Sequence, residues 1–168
     1  MLKLNTTMLR TSMLVFACCM VVSCQSASEK VAEKVAEKML ESQYGGDVDI
    51  HSKDGEMTIE TAEGSVKIST KNAVWPKDIP AGVDPLSSGE IVSVNISESP
   101  SGKAWNVTYT GADIKAVEAY EAALKAKGYQ TSKFVMGEGA TIGGEKDGLA
   151  VSIMYSDGTA VLSVAESK

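Results

Sequence analysis

One histidine, His51, stands among the 168 residues, and all three cysteines, Cys18, Cys19 and Cys24, lie near the N-terminus. These residue types carry much of the nucleophilic, acid–base and metal chemistry available near neutral pH. His51 has Asp47 and Asp49 before it and Glu60 nine positions after it. If the chain turns between them as a hairpin, Asp47, Asp49, His51 and Glu60 share one polar strand face. Asp49, His51 and Glu60 are then the candidate metal ligands. Same-face neighbours along a strand sit ~7 Å apart, whereas a divalent ion needs ligand atoms within roughly 2–2.6 Å. Only two of these side chains could share an ion comfortably. The expectation is a solvated acidic face, with no metal and no cofactor.

Other catalytic patterns are thin. A histidine-based triad would have to recruit His51, and no serine sits in a Gly-x-Ser-x-Gly elbow. Gly137, Gly139, Gly143 and Gly144 do not lead from a strand into a helix, as a phosphate loop requires; they suit a bulged or edge strand instead. Paired carboxylates of the glycosidase kind stay open, since acids are plentiful and two suffice. Against them, nine Phe, Trp and Tyr side chains are few for an aromatic-lined cleft. No catalytic residue is assigned, and the expectation is a protein that is not an enzyme.

Formal charge is −6, and Lys3 and Arg10 are the only charged residues before Cys24. The remainder keeps 14 basic and all 22 acidic residues, a net of −8, and contains no arginine. Arginine's planar fork is what reads phosphates and base edges, so nucleic acid is excluded as a partner.

Lys3 and Arg10 precede an uncharged apolar run, Met13 to Val22. Ten residues are about half of the ~20 that span a bilayer as a helix. The run therefore suits the hydrophobic region of a signal peptide. The stretch Val21-Val22-Ser23-Cys24 resembles the lipobox of bacterial lipoproteins. That resemblance implies removal of residues 1–23, lipidation of Cys24 (palmitate among the acyl chains) and a membrane tether through that lipid. An ordinary secretory leader cleaved near Ser23 would instead leave Cys24 a free thiol. Cys18 is the poorer lipidation site, because bulky Phe16 stands two positions before it. Gln25 rather than Asp follows Cys24, which leans toward the periplasmic side of an outer membrane in a two-membrane organism. Otherwise the outer face of the cytoplasmic membrane is expected. A processed chain keeps only Cys24, so no disulfide or thiolate metal site forms within it.

The remaining 145 residues divide by pattern. Residues 24–46 read as a lipidated N-terminus and helical spacer. Ser26 and Glu29 have capping-box spacing, and Val31, Val35 and Met39, widened by Ala32, Ala36 and Leu40, form a stripe on a helix over 26–41. Residues 47–72 repeat with a period of nine and predict a three-stranded meander. Turns at Asp54-Gly55 and Glu63-Gly64 would oppose Ile50 to Ile59, Ile59 to Ile68, and Glu60 to Lys67. Residues 73–90 are a proline-rich linker, with Trp75 or Ile79 pinned to the C-terminal domain. Residues 91–168 predict two strands, a helix over 112–127, and strands near 129–136, 139–146, 149–156 and 159–166. Asp147-Gly148 and Asp157-Gly158 mark two of the turns. The expected fold class is α+β: an N-terminal helix, the three-stranded β-meander, then an antiparallel sheet with one helix packed across a face (ββαββββ).

The Trp-Pro-x-x-Ile-Pro stretch from Trp75 and the helix end Tyr120, Leu124, Gly128 and Tyr129, with the Lys-Asp-Gly hairpin at 146–148, resemble uncharacterised bacterial lipoproteins over roughly 74–166. These motifs are structural and imply no activity. The functional expectation is a membrane-anchored envelope lipoprotein, acting as a non-catalytic binding or assembly-accessory module. The alternatives are a small carboxylate-dependent hydrolase, or a scaffold dimerising through its N-terminal helix. The expected partners are the membrane, through lipid on Cys24, and an envelope protein or ligand.

Overall fold

The computed structural model describes residues 47–167 together with Lys34, Glu37, Lys38 and Glu41. Cys24, the leader and most of the helix expected over 26–41 lie outside the described residues. The four described positions in that stretch have helical backbone.

Nine strands occur in chain order among the described residues: β1 (Val48–Lys53), β2 (Glu56–Thr61), β3 (Gly64–Ser69), β4 (Glu90–Ser99), β5 (Gly102–Thr110), β6 (Gln130–Met136), β7 (Gly139–Lys146), β8 (Leu149–Ser156) and β9 (Thr159–Ser167). One helix, α1 (Ile114–Ala126), lies between β5 and β6. All nine strands join one antiparallel sheet in the order β1-β2-β3-β4-β5-β9-β8-β7-β6. The α+β class with two separate β-units is therefore corrected to a β-rich fold built on a single sheet. The reason is β4. Treated as an edge, it would leave a row of backbone groups unpaired; β3 pairs with its Val94–Glu98 part across a connection of twenty residues. Alternation within each strand carries no information about that partner.

Three Asp-Gly turns form where the sequence places them, with Asp54, Asp147 and Asp157 and the glycine after each at positive φ. The turn after β2 differs from expectation. It falls on Ala62-Glu63, held by the Thr61 hydroxyl, which accepts from Glu63 N–H and donates to the Gly64 carbonyl. Ile59 consequently opposes Val66 rather than Ile68, and Lys67 opposes Thr58 rather than Glu60. Gly64 serves another purpose. A Cβ there would meet the Glu98 carbonyl oxygen at 2.0 Å, at φ +149, so only glycine lets β4 close against β3.

α1 starts at Asp113, whose carboxylate accepts from Lys115 N–H, and ends before Gly128 at φ 84. Val117, Tyr120 and Leu124 are its buried positions. They pack over β6, β7 and β8, which contribute Ile142, Val151 and Ile153. The same face of β4, β5 and β9 is covered by the proline-punctuated stretch. Ile79, Val83 and Leu86 enter the core beside Trp105, Val107, Tyr109 and Leu162, and Trp75 packs against it. Tyr120 Oη donates to the Asp84 carbonyl at 2.7 Å, and Leu86 N–H donates to Tyr109 Oη at 3.3 Å. A bulge between Ile91 and Ser93 sets Ile91 opposite Tyr109 and leaves Val92 exposed. Among the described residues, no helix is long and apolar enough to cross a membrane.

Candidate functional site

One face of the sheet is turned away from α1. Its composition follows from register. In antiparallel pairing, directly opposed residues point to the same face. Val66, Ser97, Ala104, Ala165 and Ala150 are opposed in succession across β3, β4, β5, β9 and β8. A second row runs Asn95, Asn106, Ser163, Ser152, Gly143 and Ser132. The second row contains no charge, and the first runs on from Ala150 to Glu145 and Gln130. Ser163 Oγ donates to Asn106 Oδ1 at 2.7 Å, which fixes the centre of the second row.

Small side chains in the first row leave a groove of about 530 Å3. Ala104, Ala150 and Ala165 form its floor, and Ile59 and Val66 stand along the meander side. Gly64 and Gly102 lie at its end, where each strand start abuts a neighbouring carbonyl, Glu98 O and Glu166 O respectively. A Cβ at Gly102 would come within 2.2 Å of Glu166 O. Glu63, Glu98, Lys103 and Glu166 also line it, so the groove offers dispersion contacts over its alanines together with charged groups. The sequence reading missed it. Its only trace in the sequence is that Ala and Ser fill the off-positions of β8 and β9, where longer polar side chains are usual.

Ion pairs form on the α1 side, and two of their residues, Lys103 and Glu98, also line the groove. Lys103 Nζ lies 2.7 Å from Asp78 and 3.8 Å from Glu98, and 5.4 Å from the centroid of the Trp105 ring. The hydrogen bond from Lys103 holds the Asp78 carboxyl below its usual range, and the same bond raises the Lys103 ammonium. The Trp105 indole N–H adds to the lowering of Asp78, although buried Nε1 makes no hydrogen bond of good geometry. This cluster fastens the proline-rich stretch to β5. Burial raises the phenols of Tyr109, Tyr120 and Tyr129, with desolvation the leading cause in each.

His51, Asp49 and Glu60 share the α1-side face of the meander, all exposed. His51 opposes Thr58, while Asp49 opposes Glu60, bringing like charges together. Among the described residues, no three His, Cys, Asp or Glu side chains are placed to hold one metal ion. Asp47 is exposed just before β1. Cys24 lies outside the described residues. Comparison with protein-family models, with curated proteins and with solved structures returned no match to this chain.

Proposed function

We propose that this chain is a lipid-anchored envelope protein whose sheet is a non-catalytic binding or assembly-accessory module, tethered through Cys24. The anchor rests on the Val21-Val22-Ser23-Cys24 stretch behind a short apolar run. With Gln25 after the cysteine, the outer membrane is the favoured address in a two-membrane organism. The binding role is carried by one observation: the face turned away from α1 opens into a groove floored by Ala104, Ala150 and Ala165. A floor of small side chains lets another surface approach closely.

Two measurements test the proposal. Mass spectrometry of native protein should find acyl chains on an N-terminal Cys24 peptide. Cys24→Ser should release the protein from membranes, because durable attachment needs the acyl chains that cysteine carries. Separately, Ala150→Trp should fill the groove and abolish the cellular role while fold and membrane attachment persist. A soluble native species starting elsewhere sinks the anchor, and an unaffected role in Ala150→Trp sinks the binding surface.

A further inference from the structure

The sheet has two outer strands, and they are finished differently. At β1, Glu37 Oε1 accepts from Ile50 N–H at 3.2 Å, so a side chain occupies that edge. At β6, no described element pairs with the outer side. Met136 and Gly139 close a two-residue turn. By alternation, Gln130, Ser132, Phe134 and Met136 exchange hydrogen bonds with β7, whereas Thr131, Lys133 and Val135 direct N–H and C=O outward. The side chains are unusual for an edge. Phe134 is 64% exposed, Val135 56% and Met136 74%, and Met154, on the same face as Phe134, is 63% exposed. The strand has no acidic residue. Its one charge, Lys133, is bonded to Glu118 at 2.8 Å.

We propose that β6 is the seam of a two-fold dimer, pairing antiparallel with β6 of a second copy of this chain. Charge argues for a copy at this edge. Two chains of net −6 repel over most approaches, but β6 brings no carboxylate of its own to the contact. Register argues for the axis. Centred on Phe134, the pairing sets Phe134 against Phe134 of the second copy, Met136 beside Ser132, and Val135 beside the Lys133 stem. Lys133 and Val135 then supply the bonding groups. Centring on Lys133 would oppose two ammonium groups, which costs stability. A five-residue seam is small beside the ~1,600 Å2 of a standard interface, so the dimer is weak in solution. Tethering two copies to one surface would raise their effective concentration. The seam does not depend on lipidation, however, and is tested without it.

The test uses the purified full chain in detergent. Directly opposed strand residues bring their Cβ atoms to about 4.5–5.5 Å, near enough for a disulfide after small adjustment. Phe134→Cys should therefore give a cross-linked dimer on mild oxidation, above an unmodified control that reports on the native cysteines. Met154→Cys, two strands inward, should not. Val135→Pro removes an outward N–H and leaves every bond to β7 in place; added to Phe134→Cys, it should abolish the cross-link. Circular dichroism of each variant confirms that the sheet is retained. Sedimentation of the chain without added cysteines should show dimer at high concentration, lost in Val135→Pro. No cross-link at Phe134→Cys, equal cross-linking at Met154→Cys, or persistence with Val135→Pro would each overturn the proposal.

Discussion

Strands β1–β3 and strands β4–β9 share one sheet and one kind of alternation, yet they turn their apolar sides to opposite faces. In β5 and β9 the inward residues are Trp105, Val107, Tyr109, Ala160, Leu162 and Val164, all on the α1 side. In the meander, Val48, Ile50, Met57, Ile59, Val66 and Ile68 point the other way, as the pairing of Val66 with Ser97 requires. A slip of one residue at the β3–β4 seam would reverse this. Covering differs as well. The α1 side of β4–β9 is closed by α1 and the 73–90 stretch; on the meander's apolar face Val48 and Ile50 are buried, while Ile59, Val66 and Ile68 remain only half-buried. Pattern identifies an apolar face; what lies over it decides how much that face stabilises.

Truncating each face is the strongest way to break the comparison. Leu162→Ala, at a fully buried site, should cost ~2–5 kcal/mol in urea unfolding. Ile59→Ala should cost about 1 kcal/mol, because less apolar area is lost to water. Equal losses would show that the meander face is covered as completely as the core. The seam itself is next. Gly64→Ala meets the Glu98 carbonyl and a φ that suits only glycine, so it should cost roughly 1–3 kcal/mol and loosen the β3–β4 pairing in hydrogen exchange. Gly137→Ala, with nothing within 4 Å of its added Cβ, should cost about 1 kcal/mol and leave that seam unchanged.

Alkali should separate the halves too, because Tyr109, Tyr120 and Tyr129 all lie in the covered region and the meander strands have no tyrosine. Their folded-state pKa values are raised, chiefly by desolvation. The stability they contribute is present below the unfolded value near ~10 and is lost as pH climbs toward the folded values. Thermal unfolding should therefore shift downward above pH ~10, and Tyr120→Phe should reduce that shift while removing about 1 kcal/mol through its bond to Asp84. An unchanged alkaline limb in Tyr120→Phe would contradict this origin.

The smallest effect belongs to Asp78 and Lys103. The lowered Asp78 contributes stability above its unfolded pKa, lost as pH falls through the folded one. The raised Lys103 contributes below its unfolded value, lost as pH rises through the folded one. Their shared contribution thus forms a plateau between the carboxylate and lysine ranges. Both side chains are partly exposed, so Asp78→Asn should cost less than ~1 kcal/mol at pH 7, and less again in high salt. A larger loss would mean that Asp78 supports Trp105 rather than merely pairing with Lys103.

Local chemistry was readable from the residues alone. The Asp-Gly pairs at 54, 147 and 157 need positive φ and form turns. Strand limits near 139–146 and 149–156 follow from alternation between such turns. Tyr120, Leu124 and Gly128 mark the buried face and end of α1. Each of these depends on neighbours within a few residues, where steric limits and capping act. The pairing of β3 with β4, the reversal of the apolar face there and the alanine-floored groove depend on residues tens of positions apart. Alternation has a period of two and is indifferent to which strand lies alongside. Gly64 shows the difference most sharply. The sequence reading assigned it to a turn because glycine permits positive φ. The fold uses its missing Cβ to admit the Glu98 carbonyl, a contact that exists only once the two strands have met.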